Sequence, residues 1–118
     1  MKTFLAIYVG TASGLEKSGW SSLSEGERKA RQATGMKAWM DWGQRHHGAI
    51  VEQGSPLGKT KRAGPDGVSD ITNAMAGYVI VQAESHDDAV RMFEGHPHFT
   101  TFPGDSVEVM ECLPIPKR

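Results

Sequence analysis

The chain reads as an α+β protein: a ferredoxin-like βαββαβ order with an inserted β-hairpin, two copies forming a dimeric α+β barrel. Three observations predict this. Gly77 to Pro116 reads as strand, capped helix, sharp break and closing strand. Thr3 to Gln53 has the same order with a longer helix. Two such halves make a four-stranded antiparallel sheet with both helices on one face. The first and third strands of that sheet are nevertheless apolar on both faces, so something must cover the side without helices. A second copy of the chain is the simplest cover.

The elements follow in order. Thr3 to Val9 is β-rich and apolar on both faces, as suits a strand covered on both sides. Gly10 to Ser22 is rich in Gly and Ser with weak periodicity and is expected to be a loop. The first helix begins at Ser24, which has capping-box spacing to Glu27, and runs to about His47, where Gly48 stops it. Ala33, Met36, Trp39, Met40 and Gly43 share one face by the 3.6-residue period, with His47 on the same face and Trp42 and His46 at its flank.

Ala49 to Gln53 is the second strand, ended by Gly54-Ser55-Pro56. Lys59 to Ala63 and Val68 to Ile71 flank the turn Gly64-Pro65-Asp66-Gly67 and form the inserted hairpin. Tyr78 to Ala83 is the third core strand. Ser85 caps the second helix, with Asp88 three residues on, and the helix buries Ala89, Val90, Met92 and Phe93. Ser106 to Leu113 closes the sheet, with Val107 and Val109 pointing one way and Glu108, Met110 and Cys112 the other.

At 118 residues the chain is expected to be one domain, residues 1–118, able to bury about two-thirds of its surface without staples. Lys and Arg number 13 against 14 Asp and Glu, a net charge of -1, which argues against a nucleic-acid or anionic-membrane partner. One cysteine, Cys112, excludes an internal disulfide; it is expected to be a small buried apolar residue of the last strand. Lys2 and the apolar run Phe4 to Val9 loosely mimic a secretion signal, but the same residues are needed as a first strand. No stretch approaches the ~18 apolar residues of a membrane span. The chain is read as cytoplasmic.

Several pieces, in order, resemble the YCII-related (DGPF-type) family of small dimeric α+β barrels. They are Phe4-Leu5-Ala6-Ile7-Tyr8, the helix holding Trp39, Gly54-Ser55-Pro56-Leu57, Asp66-Gly67, Gly77 to Ala83, Asp88-Ala89, His96-Pro97-His98 and Val107-Glu108-Val109. Val68 follows Asp66-Gly67 here, in place of Pro-Phe. The resemblance implies the dimeric fold. Some members carry Asp-Pro after the second helix, where the Asp acts with a His as an acid–base pair; this chain has His96-Pro97 at the matching place.

The candidate chemistry lies with the histidines. His96 and His98 flank Pro97, which stops the preceding helix. Two residues apart in an extended segment, their rings point to opposite sides. In one reading, one packs on the sheet and the other caps the helix C-terminus. In the other, one is a general acid or base, because histidine titrates near neutrality. His47 is either a hydrogen-bonded core or interface residue or a polar group aimed into a cavity lined by Trp39 and Met40. Glu108 is either an exposed edge residue or faces the barrel interior. No histidine or carboxylate spacing demands a metal, and there is no phosphate-binding Gly loop or nucleophile elbow.

Two functional readings follow. The first is a cofactor-free small-molecule enzyme, a homodimer in which His96 or His98 transfers protons while His47, Trp39, Met40 and Glu108 hold the substrate. The second is a non-catalytic metabolite-binding or protein-docking module. In a barer variant all the histidines are structural.

Overall fold

In β1, Lys2–Val9, alternate residues Phe4, Ala6 and Tyr8 are buried on one face. The structure is a computed structural model and describes residues 1–116 of the chain. The strand leads into α1 (Ala12–Ser18), a single 3-10 turn (Trp20–Ser22) and α2 (Glu25–Arg45). β2 (Ile50–Pro56), the hairpin β3 (Thr60–Gly64) and β4 (Gly67–Ile71), and β5 (Met75–Ala83) follow. α3 (His86–Arg91), α4 (Pro97–Thr100) and β6 (Ser106–Glu111) complete the chain. The sheet order is β2-β5-β1-β6 with every neighbouring pair antiparallel, the ferredoxin-like arrangement of four strands.

One face of the sheet carries the core. Phe4, Ala6, Tyr8, Val79, Val81 and Ala83 meet Trp42, Ala89 and Phe93 from the helical layer. Each large side chain buried there contributes roughly 1.5–3 kcal/mol. The other face is set by register: Leu5 pairs with Ile80 and Met110, and Ile7 with Tyr78 and Glu108. Ile7 is buried between its neighbours, Leu5, Tyr78 and Ile80 are half-buried, and Met110 and Glu108 are exposed.

The helix starts are as the sequence predicts. Ser24 and Glu27 exchange both bonds of a capping box, at 2.9 and 3.1 Å. Ser85 accepts the Asp88 N–H at 3.1 Å. The hairpin is also where expected, with Gly64 opposite Gly67 and a Lys61–Asp70 ion pair at 2.6 Å on its surface. It projects from the sheet. The radius of gyration is 16.4 Å, against about 13.5 Å for a compact chain of this length. Among the described residues, no helix is long and apolar enough to cross a membrane.

Four expectations are corrected. Residues 10–22 are not a loop but α1 and the 3-10 turn. Thr11 caps α1 by accepting the Gly14 N–H at 3.0 Å, and Gly19 ends it at φ 72°. β2 runs past Gln53 to Pro56, because Gly54 at φ 68° lets the strand bulge against the Tyr78 carbonyl. Cys112 is exposed, one residue beyond β6 on the face without helices.

The fourth correction is the phase of α2. Gly35 and Trp42 are buried, Trp39 and His46 half-buried, and Met36, Met40 and His47 exposed. Trp42 fixes this rotation. Its indole lies 5.1 Å from the Phe93 ring and donates Nε1–H to the Met92 carbonyl at 2.6 Å, so it has to be inside. Seven residues earlier, the missing side chain of Gly35 leaves room for the Phe102 ring against the helix.

Candidate functional site

The candidate site forms where β1, α2 and the segment after α3 meet. β1 directs Tyr8 towards the helices, beside Gly77 of β5. A Cβ at Gly77 would meet the Ser55 carbonyl at 3.2 Å and touch the Tyr8 ring at 3.4 Å. α2 brings Trp39 to 4.9 Å from Tyr8, ring centre to ring centre. The turn after α3 and the start of α4 supply His96 and His98, each with its ring centre 5.2 Å from that of Tyr8.

His96 is extended, but Pro97 and His98 are helical. Pro97 is the first residue of α4 and His96 is its N-cap, with φ −60° and ψ 140°. The helical turn carries both imidazoles to the same side, so the expected opposition of the two rings is corrected. Both are buried, His96 at 1 % exposure and His98 at 8 %.

Their hydrogen bonds assign their protons. His96 Nδ1 accepts the His98 backbone N–H at 3.0 Å, so it carries a lone pair. A neutral His96 is therefore protonated at Nε2, which lies 3.5 Å from the Tyr8 hydroxyl. Burial, with the nearby His98 and His46 adding to it, pushes His96 down to about 3. At neutral pH it is an uncharged cap and a donor.

His98 is held differently. Its Nε2 lies 2.8 Å from the Val9 carbonyl and donates to it, because a carbonyl only accepts. The same carbonyl accepts the Asp105 N–H at 2.9 Å. The ring presses where a side chain at Gly104 would sit. With Nε2 committed, Nδ1 of a neutral His98 holds a lone pair and makes no hydrogen bond among the described residues. Asp105 is tied to Thr11, accepting its N–H at 3.1 Å and its hydroxyl at 2.6 Å. Those bonds, with a smaller contribution from His98, hold its carboxyl below the usual range.

Of the six residues expected in a site, His96, His98 and Trp39 converge. Trp39 meets His96 edge-on at 4.5 Å and lies 6.2 Å from His98. The other three do not join them. His47 and Met40 are exposed on α2. Glu108 is exposed on the far face of the sheet, opposite Ile7.

Tyr8 and Trp42 were missed as site residues. For Tyr8 the signal was its place with Phe4 and Ala6 on one face of β1; for Trp42 it was the helix phase. Two shallow clefts lie elsewhere, one between α1 and the 3-10 turn around Leu15 and Gly19, the other around Arg31 and Thr101. Among the described residues, no three His, Cys, Asp or Glu side chains are grouped to hold a metal ion.

No protein-family model matches the chain, and no curated protein is similar to it in sequence. A similar solved structure is that of the 5-chloro-2-hydroxyhydroquinone dehydrochlorinase TftG from Burkholderia phenoliruptrix AC1100, in complex with 2,5-dihydroxybenzoquinone. The two chains are 16 % identical over 92 % of this one and 90 % of the other, with a TM-score of 0.51. The likeness is one of fold.

Proposed function

We propose that the chain is a single YCII-like domain that acts, as a homodimer and without a cofactor, on a small oxygenated molecule, and that His98 moves the proton. The observation that carries this is the anchoring of His98. Its Nε2–H is fixed on the Val9 carbonyl, which leaves Nδ1 as the basic atom. His96 is the poorer candidate. Its Nδ1 is occupied by a backbone N–H, and protonating it would break the cap of α4 and bury a charge. We assign it to positioning.

Two further observations support the reading. The helix-free sheet face holds Leu5, Ile7, Ile80 and Met110, an apolar surface suited to a second copy. A protein of similar fold is named as a dehydrochlorinase of an oxygenated aromatic ring. Fold alone does not carry activity, so the choice of residue rests on the hydrogen bonds.

The test is chloride release from 5-chloro-2-hydroxyhydroquinone by the wild-type chain and by His98→Gln. Turnover that falls at least 100-fold in the variant, with melting temperature kept, is the expected result. Turnover unchanged by the substitution would contradict it. A second reading, a non-catalytic binding module, is favoured by one observation: the two shallow clefts described above do not touch His98. It predicts saturable binding with no chloride released.

A further inference from the structure

The protons around Tyr8 do not balance within the protein. His96 Nδ1 accepts a backbone N–H, so Nε2 carries the hydrogen and the Tyr8 oxygen is its acceptor. The phenol's own proton then has nowhere to go, since Tyr8 makes no other side-chain hydrogen bond among the described residues. The residue is 6 % exposed, and an unmatched buried donor is costly enough to be rare. Burial also pushes the phenol above its ordinary range, so the proton stays on. Beside it, His98 has the opposite deficit: a lone pair on Nδ1 and no donor. The two rings are 5.2 Å apart.

We propose that the Tyr8 hydroxyl and His98 Nδ1 form a donor–acceptor pair that binds a planar molecule presenting a carbonyl oxygen beside a hydroxyl. Tyr8 donates to the carbonyl and His98 accepts from the hydroxyl. Trp39 and Phe102, half-buried and 6.0 Å apart, are the aromatic faces at the exposed edge of the cluster, where a flat ring can stack. His96 supports the pair by holding its Nε2–H on the phenol oxygen, which leaves that oxygen's proton free for the ligand. The inference rests on His98 as the free base and adds Tyr8 as a ligand-binding residue and the class of ligand.

The test uses tropolone, which has a ring carbonyl next to a hydroxyl, and tropone, which lacks the hydroxyl. Binding is followed by the Trp39 indole signal in 1H–15N spectra of wild type, Tyr8→Phe and His98→Gln, with chelator present throughout. The expected result is saturable tropolone binding that weakens at least tenfold in each variant and for tropone. Absence of saturable tropolone binding to the wild type would overturn the proposal. Binding unchanged in Tyr8→Phe overturns the part played by Tyr8 and leaves His98 as the base. Binding weakened in Tyr8→Phe but unchanged in His98→Gln overturns the pair and also the proposed role of His98.

Discussion

The backbone N–H of His98 donates to Nδ1 of the His96 imidazole, 3.0 Å away, so the backbone of one histidine fixes the tautomer of the other. His96 is the cap of α4 and cannot take a proton at Nδ1 without losing that bond. His98, two residues on, keeps Nδ1 free. Two residues of one type thus have different chemistry, set by which ring nitrogen the backbone occupies.

Stability should depend on pH through His96. Its folded value of about 3 lies below the 6.5 of a free imidazole, so unfolding takes up a proton between these values. The stabilisation is complete above about pH 6.5 and is lost as pH falls towards 3. One group sets a slope of up to about 1.4 kcal/mol per pH unit. Urea unfolding at pH 7 and pH 5 should therefore show a lower midpoint at pH 5, and His96→Asn should flatten the difference. Asp105, whose carboxyl is held low by Thr11, acts in the same direction below about pH 4. A midpoint that rises from pH 7 to pH 5 would contradict the assignment.

Removing the cap should be separable from removing the ring. His96→Ala takes away both the acceptor and a fully buried side chain, with an expected loss on the order of 3 kcal/mol. His96→Asn keeps an acceptor at the cap position and should recover about 1 kcal/mol of that. Equal stability of the two variants, measured by chemical denaturation, would show that Nδ1 does not cap α4.

Gly35 should resist substitution although it lies within a helix. Alanine normally stabilises a helix by about 1 kcal/mol relative to glycine. Here the added methyl meets the Phe102 ring, which is flanked by Trp20 and Trp39 at 6.1 and 6.0 Å. Overpacking of this kind costs roughly 1–3 kcal/mol, so the net effect expected is destabilising. In a Phe102→Ala background the same change should turn neutral or stabilising. A higher melting temperature for Gly35→Ala alone would count against the packing described.

The proposed dimer has a direct readout. Light scattering should give twice the 12.8 kDa of the chain at micromolar concentration. Met110→Asp, at an exposed position of the apolar sheet face, should shift the population to monomer while keeping the helical circular dichroism. A wild-type monomer would remove the barrel from the account.

The sequence carried the fold further than the site. The β-rich runs Thr3 to Val9 and Tyr78 to Ala83, apolar on both faces, the serines at positions 24 and 85, and Gly64-Pro65-Asp66-Gly67 are local signals, and each corresponds to an observed element. Helix α1 was hidden because the Asp105 that braces its cap is 94 residues from Thr11. The phase of α2 was misread because Met36 and Met40 are apolar yet exposed, while the indole bond to Met92 that rotates the helix is a tertiary contact. His96 and His98 were recognised as candidates. Their convergence on Tyr8 was not, since Pro97 was read as a break and is in fact the first residue of a new helix.

The most direct test of the central claim is a pH titration of 15N-labelled histidine, followed by long-range 1H–15N correlation from pH 8 to pH 4.5. The account predicts that His96 keeps the Nε2–H tautomer and stays neutral throughout. It predicts that neutral His98 is also an Nε2–H tautomer, with its lone pair on Nδ1. A His96 ring that titrates near pH 6.5, or a neutral His98 protonated at Nδ1, would contradict it.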